Sequence, residues 1–243
     1  MINAITIIKK KQNLTYEKFQ NYWKNEHAKI VTRSPLVGTY VQSHPIYNDK
    51  LTFEDTVDGI AEIWFEDTNA MRTLAATKEY KDIQDDEKVF IDGSAVRLII
   101  AEDIITVEGD VSDYKLIIFM NKSSNVELTD FRKELVDMAS QYSKQNVNRM
   151  KVSLPKTAGY KGDKSPAWDA ILTVWLDLKV DQQYIDDTVN YFSNSAPNII
   201  AKLCSSVAVS YTHLRAHETG RNLVCPLMRL KKKGGGGGGG GGG

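Results

Sequence analysis

The chain alternates short apolar runs with stretches of helical periodicity, in the order strand, helix, strand, strand, helix, strand. In the first round the apolar, β-rich runs fall near residues 3–10, 36–45, 58–66 and 97–107. Between the first two, Phe19, Trp23, His27 and Ile30 recur at spacings of three and four, with Tyr22 flanking them. Lys18, Asn21, Lys24, Asn25 and Lys29 fall mainly on the opposite side. This spacing predicts an amphipathic helix over about 15–32, with Thr15 as its N-cap. A second helix is expected over 68–78, followed by a looser stretch around 79–95.

The same order returns in the second half. Asp58-Gly-Ile-Ala-Glu-Ile-Trp64-Phe65-Glu-Asp67 matches Asp169-Ala-Ile-Leu-Thr-Val-Trp175-Leu176-Asp-Leu178 at an offset of 111 residues. That offset also aligns Ile5–Ile8 with Leu116–Phe119, and Tyr40-Val41-Gln42 with Lys151-Val152-Ser153. Gly109 to Asp113 reads as a polar linker. Strand–helix–strand–strand–helix–strand is the split βαβ pattern of a ferredoxin-like unit, whose helices cover one face of a four-stranded antiparallel sheet. The other face is left bare and needs a partner, which a tandem copy supplies. The expected fold class is therefore α+β, with two tandem ferredoxin-like βαββαβ units packed sheet to sheet as an α/β barrel within one chain. The expected domains are 1–108, a linker 109–113, and 114–208, whose last strand is expected near 201–208.

The end of the chain has another character. Val209 to Thr219 (VSYTHLRAHET) resembles a translated sequencing adapter, and Asn222 to Lys233 (NLVCPLMRLKKK) is similar to its index-flanking part. Ten glycines follow from Gly234, a composition that cannot form a core. We expect 209–243 to be a non-native, disordered tail, with the biological sequence stopping near Val207 or Ala208. The zinc site suggested by His213 and His217-Glu218 is set aside on that ground.

Setting the tail aside changes the charge. It contributes six of the 31 basic and one of the 31 acidic residues, so the remainder carries 25 against 30, a net charge of about −5. A mildly acidic chain without a basic stripe argues against nucleic-acid binding. His27, His44 and Cys204 are the histidines and the cysteine that remain, which excludes an intrachain disulfide framework. No apolar run is long enough to span a bilayer, and the N-terminus reverses the charge order of a signal peptide. The expectation is a cytoplasmic, monomeric pseudo-dimer with no membrane or nucleic-acid partner.

Several separate motifs point to one family. Leu14-Thr15 with Phe19, Tyr22-Trp23 and His27-Ala28 is followed by Pro35-Leu36, Gly38, Tyr40, Gln42 and His44. Asp58, Glu62, Trp64 and Phe65 come next, then Asp86-Glu87, Phe90 and Asp92. Over residues 2–108 this resembles an EthD domain, of the dimeric α/β-barrel superfamily. The second half resembles the fold but lacks the tyrosine–tryptophan–histidine helix. Its helix, Leu128 to Tyr142, offers Phe131, Leu135, Met138 and Tyr142 as a core stripe. The resemblance implies cofactor-free proton-transfer chemistry, such as decarboxylation, cyclisation, isomerisation or monooxygenation, on aromatic or polyketide-like molecules held between sheet and helices.

Candidate site residues follow. An inward-facing imidazole suits proton transfer near neutral pH, so His27 is the candidate general acid/base, although a core histidine with one hydrogen bond fits the same pattern. Tyr40, Gln42 and His44 share one strand face, as do Glu62 and Trp64. If both faces look towards the first helix, Tyr40 and Glu62 join His27 as catalytic candidates. Phe19, Tyr22, Trp23, Gln42 and Trp64 then line a pocket for a small hydrophobic or aromatic metabolite. His44, beside Pro45, is expected to be a solvated turn residue. No metal or cofactor is required on this reading. The alternatives are a non-catalytic binder of small hydrophobes and a haem-binding barrel with His27 as axial ligand.

Overall fold

The computed structural model describes residues 1–46, 57–156, 165–193 and 196–210. His213, His217 and the glycine run lie outside the described residues. Eight strands, β1 (Ile2–Ile8), β2 (Tyr40–Pro45), β3 (Gly59–Phe65), β4 (Arg97–Val107), β5 (Tyr114–Asn121), β6 (Val147–Pro155), β7 (Ala170–Leu176) and β8 (Asn198–Ser210), close into one antiparallel barrel. The order round the barrel is β1-β3-β2-β8-β5-β7-β6-β4. Most strands are buried on both faces, one by the barrel interior and the other by helices, which is why they read as continuous apolar runs.

The helices are α1 (Tyr16–Tyr22), which continues through a π-helical turn (Trp23–His27) into α2 (Ala28–Val31), then α3 (Thr68–Ala75), α4 (Lys78–Phe90), α5 (Leu128–Gln141) and α6 (Gln182–Phe192). The N-cap prediction at Thr15 holds: its side-chain oxygen accepts from the Lys18 N–H at 3.2 Å. The looser stretch expected at 79–95 is instead largely helix α4. Its capping Thr77 accepts from Tyr80 N–H, and its buried apolar residues are Ile83 and Phe90. The strand expected at 201–208 begins earlier and runs on to Ser210, which pairs with Tyr40.

Two expectations about the barrel are corrected. The two halves do not simply stack sheet on sheet. Their edges hydrogen-bond, β2 to β8 and β4 to β6, so no sheet edge is left open. The single repeat offset also fails for two strand pairs. Trp64 pairs with Asn3 and Trp175 with Lys115, so Lys115 takes the place of Asn3. Glu62 pairs with Val41 and Thr173 with Lys151, so Lys151 corresponds to Val41 and not to Tyr40. Each correction is one residue, which is enough to move a side chain to the other face of the sheet.

Three packed layers result. Phe19, Trp23, Tyr40, Ala61, Leu74, Phe90 and their neighbours fill the space between the first four strands and their helices. Leu116, Phe131, Leu135, Leu172, Phe192 and others do the same for the second four. Inside the barrel, Ile5, Ile7, Ile60, Ile99, Ile117 and Phe119 pack at one level.

Candidate functional site

The helix that carries His27 is built to put two rings on two different surfaces. Trp23 lies against the sheet over Gly59, where a Cβ would come within 2.5 Å of its ring. Only glycine leaves room for that approach. The π-helical turn from Trp23 to His27 widens the helix there, a feature that recurs at functional sites. His27 thereby faces α4 and not the sheet. Its Nδ1 lies 2.7 Å from Asp86 Oδ2, and the Tyr22 hydroxyl donates to Asp86 Oδ1 at 2.6 Å. The Phe90 ring packs 4.9 Å from the His27 ring and 5.2 Å from that of Tyr22.

The carboxylate of Asp86 only accepts hydrogen bonds, so Nδ1 carries the proton and Nε2 presents its lone pair. Among the described residues Nε2 has no hydrogen-bond partner. His27 is 4% exposed. Burial lowers its pKa below the ordinary histidine value, and the hydrogen bond and charge of Asp86 offset part of that. Neutral imidazole is thus the form held at neutral pH, oriented as a base. The bond to Asp86, with burial, pushes Tyr22 up to about 12. On the same inward stripe of α4, burial and the neighbouring Asp86 push Glu87 up to about 7.

Tyr40 and Gln42 face the helices, as expected, but their groups are already engaged. The Tyr40 hydroxyl accepts from Trp23 Nε1 at 3.2 Å and from Gln42 Nε2 at 3.0 Å, and Gln42 also donates to the Trp23 carbonyl. Burial raises the Tyr40 pKa far above that of a free phenol. These two residues clamp Trp23. His44 is not a solvated turn residue: it is buried beside Trp23, between Gln20 and Gln42, and burial followed by Lys24 and Lys115 lowers it to about 4.

Glu62 and Trp64 point the other way, so the single pocket expected for them and His27 does not form. The β2–β3 register sets Gln42 beside Ala61 and Val41 beside Glu62, which turns Glu62 into the barrel. There Lys115 Nζ donates to Glu62 Oε2 at 2.7 Å and Lys151 Nζ to Oε1 at 2.6 Å. Burial alone would raise the Glu62 pKa. The two ammonium groups outweigh it and hold the carboxyl well below the usual range. Trp64 Nε1 donates to Asp103 Oδ2 at 2.8 Å, and Lys151 sits 4.7 Å from the centre of the Trp64 ring. Asp86 as the partner of His27, and Lys115, Lys151 and Asp103 as partners of Glu62, were not foreseen as site residues. Two shallow grooves lie elsewhere, one of about 420 Å³ bounded by Met1, Asp67, Arg72, Glu102 and Lys156. The other is lined by Ile104, Arg132, Val136 and Leu154.

The histidine, its carboxylate partner and the tyrosine thus sit together between α1 and α4. Residues 11–94 match the EthD domain family. This EthD match contains Tyr22, His27, Asp86 and Phe90 and stops short of the barrel lysines. No curated protein matches the sequence. Among solved structures, an anthrone oxidase-like protein aligns with 86% of this chain and 93% of its own, at 10% identity and a TM-score of 0.56. A candidate chlorite dismutase aligns with 86% and 95%, at 9% identity and a TM-score of 0.50. An EthD family protein from Bacillus halodurans C-125 covers 43% of this chain and 99% of its own, at 18% identity and a TM-score of 0.37. At these identities the likeness to the first two concerns the fold alone. No described helix is long and apolar enough to cross a membrane.

Proposed function

We propose that this chain is a small-molecule enzyme of the EthD type that moves a proton on an aromatic or polyketide-like substrate. The observation that carries the reading is His27 Nδ1 held by Asp86, with Nε2 left as a base. Nε2 takes a proton from an acidic C–H or phenolic O–H, the opening step of cyclisation, isomerisation and cofactor-free oxygenation; in a decarboxylation the protonated ring returns the proton to the carbon that releases CO2. Tyr22 and Phe90 flank this site and Phe19 backs it through Phe90, while Tyr40 and Gln42 hold Trp23 against the sheet on the other side of the helix. Glu62 and Trp64 belong to the barrel interior and take no part. A substrate approaches Nε2 along the seam between α2 and α4. On this reading the two halves, 1–108 and 114–208, are tandem ferredoxin-like units. The chain is a cytoplasmic, monomeric pseudo-dimer, and the chemistry needs no bound cofactor.

Haem does not fit His27. A porphyrin needs an open face on the histidine, and this ring is buried with Phe90 packed 4.9 Å away.

The test is turnover of a panel of aromatic acids, lactones and anthrone by wild type and by His27→Ala. A positioned base contributes about 10²–10⁴-fold, so His27→Ala loses that much kcat/KM on the substrate that reacts. If no compound turns over with either protein while one of them raises the wild-type melting temperature, the chain is a binder of small hydrophobes and not an enzyme. A Soret band on adding hemin, abolished in His27→Ala, would reinstate haem.

A further inference from the structure

The barrel interior has an apolar level and a charged level, and the charges divide by half of the chain. Strand alternation places Glu62 and Asp103 at the interior positions of the first four strands. It places Lys115, Arg149, Lys151 and Lys202 at those of the second four. Among the described residues, the charged interior positions enclosed by the barrel are acidic in the first half and basic in the second; Arg97, which shares the parity of Asp103 at the start of β4, is exposed and donates to the Ser94 and Val96 carbonyls. The contacts run across the division: Lys115 and Lys151 to Glu62, and Lys151 to Asp103 at 3.1 Å. Ser153, also from the second half, donates to Asp103 at 2.6 Å.

Equivalent positions show what either half would meet in a copy of itself. Asn3 stands where the second half has Lys115, and Val41 where it has Lys151. Thr173 stands where the first half has Glu62. Asp103, opposite Ser153, is matched by Ser206, opposite Ser43. Two first halves closed on each other would therefore bury Glu62 and Asp103 twice over without a cation. Two second halves would bury their lysines without a carboxylate. Burying a charge without its partner is strongly unfavourable, and building that penalty against the wrong partner is an efficient source of specificity.

We propose that the divided charges inside the barrel are a pairing code, which lets the first half close on a second half and refuses a second copy of itself. The acidic face selects a partner face with lysines at the positions of Lys115 and Lys151. The code explains why edges as similar as β2 with β8 and β4 with β6 join in one arrangement, and it is independent of any chemistry at His27.

Two full-length variants test it. Glu62→Lys/Asp103→Lys makes the interior wholly basic, and Lys115→Glu/Lys151→Glu makes it wholly acidic. Alone, each is expected to lose the wild-type melting transition and to aggregate or dissociate its halves. Co-expressed with different tags, they are expected to co-purify as a 1:1 complex of twice the chain mass by light scattering. In that complex each first half closes on the other chain's second half. Either variant alone behaving as a monomer with wild-type melting would overturn the code. So would failure of the co-expressed pair to yield a 1:1 complex, including the case where both stay insoluble. Both results leave the His27 assay unchanged, so the two ideas fail separately.

Discussion

The helical layers over the two halves of the barrel close the same kind of sheet with different materials. Over the second half the layer is Phe131, Leu135, Ala139, Ile185 and Phe192, and Tyr142 with Thr188 forms a buried hydroxyl pair at 3.0 Å. Over the first, the layer contains Tyr22, His27, Asp86, Gln42 and His44 among its aromatic rings. The apolar layer shows that the fold does not require these polar groups. Burying them is costly unless each is hydrogen-bonded, and the first half carries that cost with most, not all, of the groups paired. The difference marks where the molecule departs from its own simplest solution, and it does so around His27.

The comparison can be broken or sharpened by mutation, from the largest effect to the smallest. Phe131→Ala in the apolar layer leaves a cavity under α5 and is expected to cost about 3–5 kcal/mol in urea unfolding. Gly59→Ala drives a methyl group into the Trp23 ring and is expected to cost about 1–3 kcal/mol, with the strain visible as a shift in tryptophan fluorescence. Asp86→Asn removes a charge-assisted bond, for about 1–2 kcal/mol. It also removes the one influence that raises the His27 pKa, so NMR titration should find His27 lower still. An unchanged or higher value would contradict the role given to Asp86.

The smallest effect is a pH dependence with opposing signs. His27 and His44 have folded pKa values below the unfolded one, so their contribution is present above about pH 6.5 and is lost as pH falls from there. Glu87 has its folded pKa raised to about 7. Its contribution is present below the unfolded value and is lost as pH rises through 7. Glu87→Gln is therefore expected to raise the melting temperature at pH 8 and to leave it unchanged at pH 4. Equal shifts at both pH values would show that Glu87 is solvated.

Much of this was legible in the chain. The apolar runs located all four strands of the first half, and the stripe of Phe19, Trp23 and His27 located the first helix with its Thr15 cap. Helix α4 was not legible, because its inward stripe is completed by Asp86 and Glu87, leaving Ile83 and Phe90 as its buried apolar residues. The partner of His27 was hidden for that reason: it lies on the least apolar helix of the first half, 59 residues away. The π-helical turn has no signature in apolar spacing either, since Trp23 and His27 sit four apart as in any α-helix.

By itself the sequence determined which segments are strands, which helical face is aromatic, and that one histidine lies on it. These are local properties, written in the spacing of apolar residues along a few turns or a few strand residues. The tertiary structure decided which face each strand residue occupies and which groups meet. It turned Glu62 inward to Lys115 and Lys151, Tyr40 towards Trp23, and His27 to Asp86. The physical reason is that strand register is a long-range property with a period of two: a one-residue shift, invisible in an alignment of weak repeats, exchanges the inside of the barrel for its outside.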